Sequence, residues 1–498
     1  MNTKKRFFIN ALILSLTSLV MQTAGVSFNA YISNKIGASG TGLYSLIMSV
    51  YVFSVTVANS GISLAATRLI SEELATKNTS LSVKASILAI FHGLFFGSLA
   101  SFILFFGSNF IGNSLLGDRR TVLALKILSI SLPFVGMSAA ISGYFTAVRR
   151  VGKSAFCQVF EQFLRICAVI LFLKYFSDGD IKKSCCVIVL GGSLAEISSF
   201  LMIFTLYHFD KIKYKLKSKK GDRPVLKRLL YISLPLAFSA YIRSALRCVE
   251  HILIPKGLKK CGASSEGSLA LYGVVHGMVM PVLLFPSSFL SAFGSLLIPE
   301  ITEYQKLGKN SQIKRIMKKV YSVTFIFSVG FCGVFWAFSK EIGMAIYKSP
   351  DAAIYIKLLA PLTIAMYIDS VTDSILKGIG EQVYSMRVNI LDAALGVILT
   401  IVLIPKYGIG GYIAVIFITE LINAFLSLFK LIYVTDFKIN LTEWLIRPAL
   451  SILSAVLPIS FLAEFYSDTP LKPVIQIVLS LIIYLLVLKF TTPKDAYI

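Results

Sequence analysis

The chain has 498 residues, of which 56% are hydrophobic and only 15% are charged, and its formal net charge is +24. An average soluble domain has about 25% charged residues, so this composition excludes an ordinary soluble domain and indicates an integral membrane protein. Continuously apolar stretches recur along the chain, each with the roughly 20 residues that a helix needs to cross a bilayer. They do not alternate with polar residues, which excludes a membrane β-barrel.

In chain order, fourteen of these stretches are predicted to span the membrane as helices. The first, Phe7 to Ile32, follows three basic residues but is too long for a signal peptide, so we interpret it as a retained helix. The remaining thirteen are Leu43 to Thr67, Val83 to Phe106, Val122 to Val148, Ala155 to Phe176, Cys185 to His208, Leu229 to Ile254, Leu269 to Ile298, Val320 to Phe338, Ala352 to Leu376, Val383 to Ile404, Gly411 to Tyr433, Trp444 to Phe465 and Val474 to Leu488.

Six short matches recur in the two halves of the chain at one spacing (for example, 361 − 133 = 228). They are Leu43-Tyr44 with Leu271-Tyr272, Leu69-Ile70 with Leu297-Ile298, Glu72 with Glu300, Pro133 with Pro361, Ser142 with Ser370, and Gly152 with Gly380. Apolar sequences produce such matches by chance, so coincidence is one interpretation. The other is a duplicated helical bundle, which is typical of transporters with a site between two similar halves.

The basic residues are distributed unevenly around the predicted spans. An even number of spans puts both termini on one side, and most of the 49 Lys and Arg residues fall there, which predicts that this side is cytoplasmic. The densest basic segment, from Lys211 to Arg228, joins the two halves and is expected to rest on anionic lipid headgroups rather than on nucleic acid.

Motifs for nucleotide or metal chemistry are incomplete. Gly152-Lys153-Ser154 resembles the end of a P-loop, but Ala147 replaces the required earlier glycine and the preceding segment is a membrane helix. The four His and seven Cys residues show no metal spacing. We therefore expect no metal and no cofactor, and uphill transport would draw on an ion gradient, the membrane potential or consumption of the product.

Two arginines in the seventh span are the first candidates for substrate binding. Arg243 and Arg247 are four residues apart and so share one helical face. A charge inside a span is costly unless it is paired or faces water. Two guanidinium groups suit a phosphate, whereas the alternative is that Arg247 pairs with Glu250 or Glu161 and only joins helices.

The fifth span contributes a second candidate group, Glu161, Gln162 and Arg165. Glu161 and Arg165 have the spacing and order of a favourable intrahelical pair, so a structural clamp and a substrate contact are both open. The 228-residue offset carries the three positions to Asn389, Ile390 and Ala393.

Acidic residues within spans are concentrated in the second half. The candidates for ion coupling are Glu250, Asp369, Asp373 and Asp392. Asp369 and Asp373 share a helical face, and neighbouring carboxylates raise one another's pKa or bind a cation. A proton or Na⁺ site is one interpretation, and pairing with Arg243 and Arg247 is the alternative.

Several short motifs resemble the multidrug/oligosaccharidyl-lipid/polysaccharide exporter superfamily, in particular its stage V sporulation protein B and polysaccharide flippase family. They are Ile36-Gly37 followed by Gly40-Thr41-Gly42-Leu43-Tyr44, Gly143-Tyr144-Phe145, the segment from Gln158 to Arg165, and Pro299-Glu300-Ile301.

The resemblance implies an all-α membrane protein with two six-helix lobes, 1–222 and 223–437, followed by two further helices in 438–498. It also implies alternating access, with an undecaprenyl-diphosphate-linked sugar as cargo, such as a lipid II-like precursor or a polysaccharide repeat unit. Enzymes of cell-wall or polysaccharide synthesis are the protein partners that it implies.

In one respect the chain departs from the lipid II flippases of this superfamily, which carry arginines in the first span. No charged residue occurs here from Phe7 to Ile32, so Arg165, Arg243 and Arg247 would have to bind a diphosphate.

Two other functions compete with the flippase. A cation-coupled multidrug exporter of the same fold is the alternative, although it would be expected to carry a carboxylate in the first span. A membrane enzyme would need a catalytic group near the outer surface, where the loops are short, so we expect no enzyme activity.

Overall fold

The structure is a computed structural model that describes residues 3–75, 79–176, 179–213, 225–437, 440–462 and 472–491. Within these ranges the chain is helical and contains no strand. The helices up to residue 260 are α1 Thr3–Asn59, α2 Ile62–Ala75, α3 Thr79–Phe110, α4 Thr121–Ala147, α5 Val151–Phe176, α6 Ile181–Lys213 and α7 Val225–Lys260. Those that follow are α8 Ser265–Tyr272, α9 Met280–Leu284, α10 Ser287–Lys306, α11 Asn310–Ala337, α12 Ser339–Tyr347, α13 Pro350–Leu359, α14 Leu362–Gly378, α15 Gln382–Thr435, α16 Arg447–Leu462 and α17 Lys472–Thr491.

Three short π-helical segments occur in the described ranges. They are Ile111–Leu115, Gly273–Val279 and Thr442–Ile446.

Two helices are too long for a single membrane crossing. The 57 residues of α1 and the 54 residues of α15 would each extend over about 80 Å, whereas a bilayer core is about 30 Å thick. Gly37 (φ 71°) breaks α1, and Gly408 (φ 58°) breaks α15. Both positive φ values are readily adopted by glycine, and each broken helix accommodates two of the predicted spans.

The all-helical, multi-pass class predicted from the sequence is confirmed, but the number of fourteen spans is not. Ten helices are long and apolar enough to cross a membrane, or eleven if α13 and α14, which meet at 60°, form one broken span. The number is smaller partly because continuous helices such as α1 and α15 contain two predicted spans each.

Packing divides the chain into two compact units. The first comprises Met1–Phe28 and Ile36–Ala270, and the second comprises Asn29–Lys35 and Leu271–Ile498. The first unit includes α7, with which the predicted second lobe begins, because packing and sequence duplication are different ways of dividing a chain. The predicted lobe boundary at 222/223 and most of the basic linker lie outside the described residues, and the three predicted domains stay a prediction.

Small residues bring the helices of the first unit close together. A Cβ atom on Gly93 would lie 2.3 Å from the carbonyl oxygen of Gly136, and one on Gly97 would lie 2.7 Å from that of Leu132. Such contacts let the backbones of α3 and α4 approach, as is common between membrane helices.

The turn between α4 and α5 recurs between α14 and α15. Each turn has three residues, and the middle one, Arg149 or Gly380, has a positive φ of 58° or 91°. These positions differ by 231 (380 − 149), not 228. The predicted match between Gly152 and Gly380 is therefore out of register by three residues, since Gly152 lies inside α5.

A helix crossing confirms the offset of 231 with its small residues exchanged. A Cβ atom on Gly143 of α4 would lie 2.5 Å from the carbonyl oxygen of Ser63 in α2. In the second unit, a Cβ atom on Gly294 of α10 would lie 2.7 Å from Oγ of Ser374 in α14. The paired positions again differ by 231 (294 − 63 and 374 − 143), so geometry supports a duplication whose sequence offset is not constant.

Replacement of Gly143 by alanine should destabilise the protein. The added methyl group would overlap a backbone oxygen that cannot turn away, and overpacking of this kind costs about 1–3 kcal/mol. Thermal unfolding of the purified variant in detergent measures the loss. The matched control is Gly152→Ala, where no atom lies within 4 Å; equal melting temperatures for the two variants would contradict the packing argument.

Candidate functional site

The two candidate arginines of α7 differ in how firmly they are held. Arg243 is exposed, and no described residue forms an ion pair with it. Nη1 of Arg247 lies 3.2 Å from Oε2 of Glu250, and the Arg247 side chain is 40% exposed, whereas that of Glu250 is 8% exposed. The i,i+3 contact thus positions one guanidinium from its buried side and leaves much of the group available.

Hydrogen bonds attach α7 to the first unit near these arginines. The Tyr241 hydroxyl donates to Oγ of Ser60 at 2.8 Å, and the hydroxyls of Ser244 and Thr56 share a bond of 3.1 Å. Gly61 permits close approach, because a Cβ atom there would lie 2.9 Å from the carbonyl oxygen of Ser233. The segment that carries Arg243 is therefore fixed on both sides of that residue.

Arg165 is held between two carboxylates. Its Nη2 lies 2.8 Å from Oε1 of Glu161, one turn away on α5, and 3.3 Å from Oε1 of Glu196 on α6. Tyr51 of α1 donates to Glu196 and shares a hydrogen bond of 2.8 Å with Ser131 of α4. Four helices thus meet at one ionic cluster, and Gln162 is buried next to it in sequence.

The corrected offset changes the interpretation of this cluster. An offset of 228 relates Glu161 to Asn389, but the beginnings of α5 and α15 differ by 231 (382 − 151). Glu161 therefore corresponds to Asp392, and Arg165 corresponds to Gly396. Both copies keep a carboxylate at this position, whereas only the first supplies an arginine one turn later.

The acidic candidates of the second unit have different partners. Nδ2 of Asn423 donates to Oδ2 of Asp369 at 3.0 Å. Asp373 and Asp392 lie close enough to interact electrostatically with Asp369, and Asp392 is 4% exposed. The structure thus places these three predicted carboxylates in one region.

Asp373 has a cation of its own. Nζ of Lys377 lies 2.5 Å from its Oδ2, and Ser385 donates to its other oxygen. Asp369 instead has an amide as its printed hydrogen-bond partner, which makes it the stronger candidate for a titrating or ion-binding group. In the described part of the chain, no group of three or more His, Cys, Asp or Glu side chains is arranged to hold a metal ion.

Two ion clusters were not predicted from the sequence. Asp210, 2% exposed, lies 2.5 Å from Nζ of Lys153 and also pairs with Arg150, while the Tyr144 hydroxyl donates to it at 3.0 Å. An acidic residue at the end of one span, on the same predicted side as a basic turn between two others, was the available signal.

The second cluster joins α7 to α2. Nη1 of Arg228 lies 2.5 Å from Oε1 of Glu73, and Nη2 lies 2.8 Å from Oε2 of Glu72. Glu73 is 1% exposed, so Arg228 satisfies a carboxylate that water does not reach.

A family model described as polysaccharide biosynthesis protein matches residues 8–305, which is more than half of the chain. The chain belongs to this family. Among its curated relatives, stage V sporulation protein B of Bacillus subtilis is 25% identical, with 82% of this chain and 80% of that protein covered. Lipid II flippase MurJ of Bacillus subtilis is 23% identical, with 84% and 81% covered.

Solved structures share the fold. A lipid II flippase MurJ in an inward closed conformation has a TM-score of 0.69 and 16% identity, and the match covers 97% of this family member and 98% of that chain. An inward-facing multidrug resistance MATE family transporter has a TM-score of 0.63 and 14% identity, with 86% and 98% covered. The protein is therefore a multi-pass transporter of the multidrug/oligosaccharidyl-lipid/polysaccharide superfamily and not an enzyme.

Removal of the Arg165 charge should destabilise the first unit. Arg165→Gln leaves Glu161 and Glu196 facing each other without a cation, and breaking a buried ion pair costs on the order of 3 kcal/mol. Thermal unfolding in detergent measures the loss, and adding Glu196→Gln should recover part of it. Lys174→Gln, an exposed change on the same helix, is the control; a double variant less stable than Arg165→Gln would contradict this account.

Proposed function

We propose that this transporter is a flippase that moves an undecaprenyl-diphosphate-linked sugar across the bacterial cytoplasmic membrane by alternating access, with both termini in the cytoplasm. The cargo would be a lipid II-like precursor or a polysaccharide repeat unit. The family and the names of the relatives support this class of cargo. The observation that carries the proposal is the pair Arg243 and Arg247 on one face of α7.

The geometry of this pair suits a diphosphate. A guanidinium group can donate two parallel hydrogen bonds to phosphate oxygens. Arg243 is exposed and without an ion pair among the described residues, whereas Glu250 orients Arg247 without covering it. Two such groups about one helical turn apart match the spacing of two linked phosphates, while a prenyl tail can remain in the lipid.

Arg165, Glu161 and Gln162 have a different place in the proposal. A phosphate would have to compete with two carboxylates for Arg165, so direct contact costs more there than at Arg243. We infer that this cluster contributes to substrate binding by fixing the helices of the first unit, with Glu161 and Gln162 as the residues nearest to Arg165 on α5.

Coupling to an ion is the second part of the proposal. Asp369 would take up a proton or Na⁺, and Asp373 and Asp392 would tune its affinity through their charges. Glu250 would contribute through its contact with Arg247. A cation-coupled drug exporter could use the same carboxylates, so the arginines of α7 and not the acidic residues separate the two functions.

Loss of both α7 arginines should abolish flipping. Arg243→Gln with Arg247→Gln removes the diphosphate donors, and translocation of a fluorescent undecaprenyl-diphosphate-linked sugar in proteoliposomes should fall by at least tenfold, equivalent to about 1.4 kcal/mol. Equal incorporation into vesicles is verified for every variant.

Lys259→Gln with Lys260→Gln is the matched control, because it removes two exposed cations from the same helix. Full flipping by the arginine variant would contradict the phosphate contact. Wild-type export of cationic dyes without lipid flipping would instead establish the drug exporter.

Neutralisation of Asp369 should remove the response to an ion gradient. In Asp369→Asn, flipping under an imposed Na⁺ or proton gradient should equal flipping without it, because the carboxylate can no longer change its charge. The same vesicle assay measures both rates. Asp351→Asn, an exposed change at the beginning of α13, should retain the wild-type response; a gradient response retained in Asp369→Asn would exclude this residue as the coupling site.

A further inference from the structure

A pocket of about 440 Å³ lies in the second unit between the first turns of α11 and the segment that follows α15. Lys314, Arg315 and Lys318 line it from α11. Phe437 and Trp444 line it from the other segment. Cations and aromatic rings thus face one cavity, which has no part in the proposed cargo path.

The three cations are not neutralised by neighbouring side chains. No residue in the described ranges forms an ion pair with Lys314, Arg315 or Lys318. Glu443 is the acidic residue among the pocket-lining side chains, and with one carboxylate against three cations a positive excess remains. The spacing i, i+1, i+4 holds these charges together on α11 against their mutual repulsion.

A second cavity, in the first unit, shows how such a group looks when it is compensated. That cavity of about 550 Å³ is lined by Arg68, Lys227 and Arg228. Arg228 pairs with Glu72 and Glu73, and Arg68 lies 3.0 Å from Glu72. Carboxylates therefore already occupy the arginines there, in contrast to the pocket on α11.

The aromatic side of the pocket is rigid. The Trp444 ring stacks on Phe437, with centroids 5.8 Å apart and planes at 20°, and on Tyr321, with centroids 6.4 Å apart and planes at 11°. Trp444 is 4% exposed and Phe437 is 6% exposed. This stack gives the pocket an apolar wall that does not need to be ordered when a ligand binds.

The position of the pocket indicates what kind of anion it meets. It lies at the beginning of two candidate membrane spans, Asn310–Ala337 and Thr442–Ile459. Side chains at the ends of spans lie at the level of lipid headgroups, where tryptophan and basic residues are enriched. A ligand that carries a phosphate next to an apolar chain would contact the cations and the aromatic wall together.

We propose that this pocket binds the phosphate headgroup of an anionic membrane lipid. Lys314, Arg315 and Lys318 contact the phosphate oxygens, and the wall of Phe437 and Trp444 packs against the first carbons of the lipid chain. A phospholipid and a prenyl phosphate share this chemistry. The site is independent of the proposed cargo, so it can stand if the flippase function fails.

Trp444 provides a local probe, because the chain has only two tryptophans. In a Trp336→Phe background, the full-length protein in non-ionic detergent is titrated with dioctanoyl phosphatidylglycerol, farnesyl phosphate or dioctanoyl phosphatidylcholine, and Trp444 emission is recorded. The two anionic lipids should give a saturable change at lower concentration than the zwitterionic lipid. Tighter binding of farnesyl phosphate identifies a prenyl phosphate as the ligand, and tighter binding of phosphatidylglycerol identifies a phospholipid.

Charge removal tests the residues. Lys314→Gln, Arg315→Gln and Lys318→Gln together should weaken anionic-lipid binding at least tenfold. The matched control removes three exposed cations of the same region that do not line the pocket, Lys306→Gln, Lys309→Gln and Lys319→Gln, and should bind as wild type. If the triple pocket variant does not fold, Arg315→Gln alone should still weaken binding by about threefold.

Three results would overturn the proposal. Phosphatidylcholine that binds as tightly as phosphatidylglycerol would show that no phosphate site of this charge exists. Equal losses in the pocket variant and the matched control would assign the effect to diffuse surface charge. Inorganic phosphate that competes at the same concentration as farnesyl phosphate would exclude the apolar wall and the lipid.

Discussion

The cost of placing charge in an apolar bilayer is the constraint on which the rest of this structure depends. An unpaired charge in a span costs several kcal/mol, and the buried carboxylates of the first unit have cations beside them. Arg165 joins Glu161 and Glu196, Lys153 neutralises Asp210, and Arg228 neutralises Glu73. These pairs connect helices that are distant in sequence, so the same interactions that make the charges tolerable also hold the unit together.

Against this background, the charges that are not neutralised stand out. Arg243 has no ion pair within the described ranges, and Asp369 has an amide from Asn423 rather than a cation as its printed hydrogen-bond partner. Substitution of Arg165 by its counterpart Gly396 removes the built-in cation from the second copy while Asp392 preserves the acid. Divergence between the two copies thus separates a structural ion cluster from an acidic region that is free to respond to ions.

The sequence predicted the class of the protein well, because length and apolarity of each span are local properties. It also predicted the break near Gly37 and the intrahelical pair of Glu161 and Arg165, both of which depend on neighbouring residues. It did not predict the pairing of Arg228 with Glu73, 155 residues away, since helix packing determines which span ends meet. The number of crossings was not settled, because long broken helices such as α15 do not divide cleanly into spans.

The repeat shows a related limit. An offset of 228 matched residue types, but the turn at Arg149 and Gly380 fixes the offset there at 231. Identity between single residues cannot detect a shift of three positions in sequences composed mostly of leucine, isoleucine and phenylalanine. Backbone conformation detects it, because a left-handed residue after a helix marks one position and no other.

The exchanged small residues at the two helix crossings bear on how the halves have evolved. In one copy glycine lies on α4, at Gly143 opposite Ser63, and in the other it lies on α10, at Gly294 opposite Ser374. A chimera that joined α2 to α14 would meet a side chain on both surfaces, and one that joined α10 to α4 would have a side chain on neither. The members of each crossing are thus adapted to one another, and gene conversion between the halves would be selected against unless it replaced both helices at once.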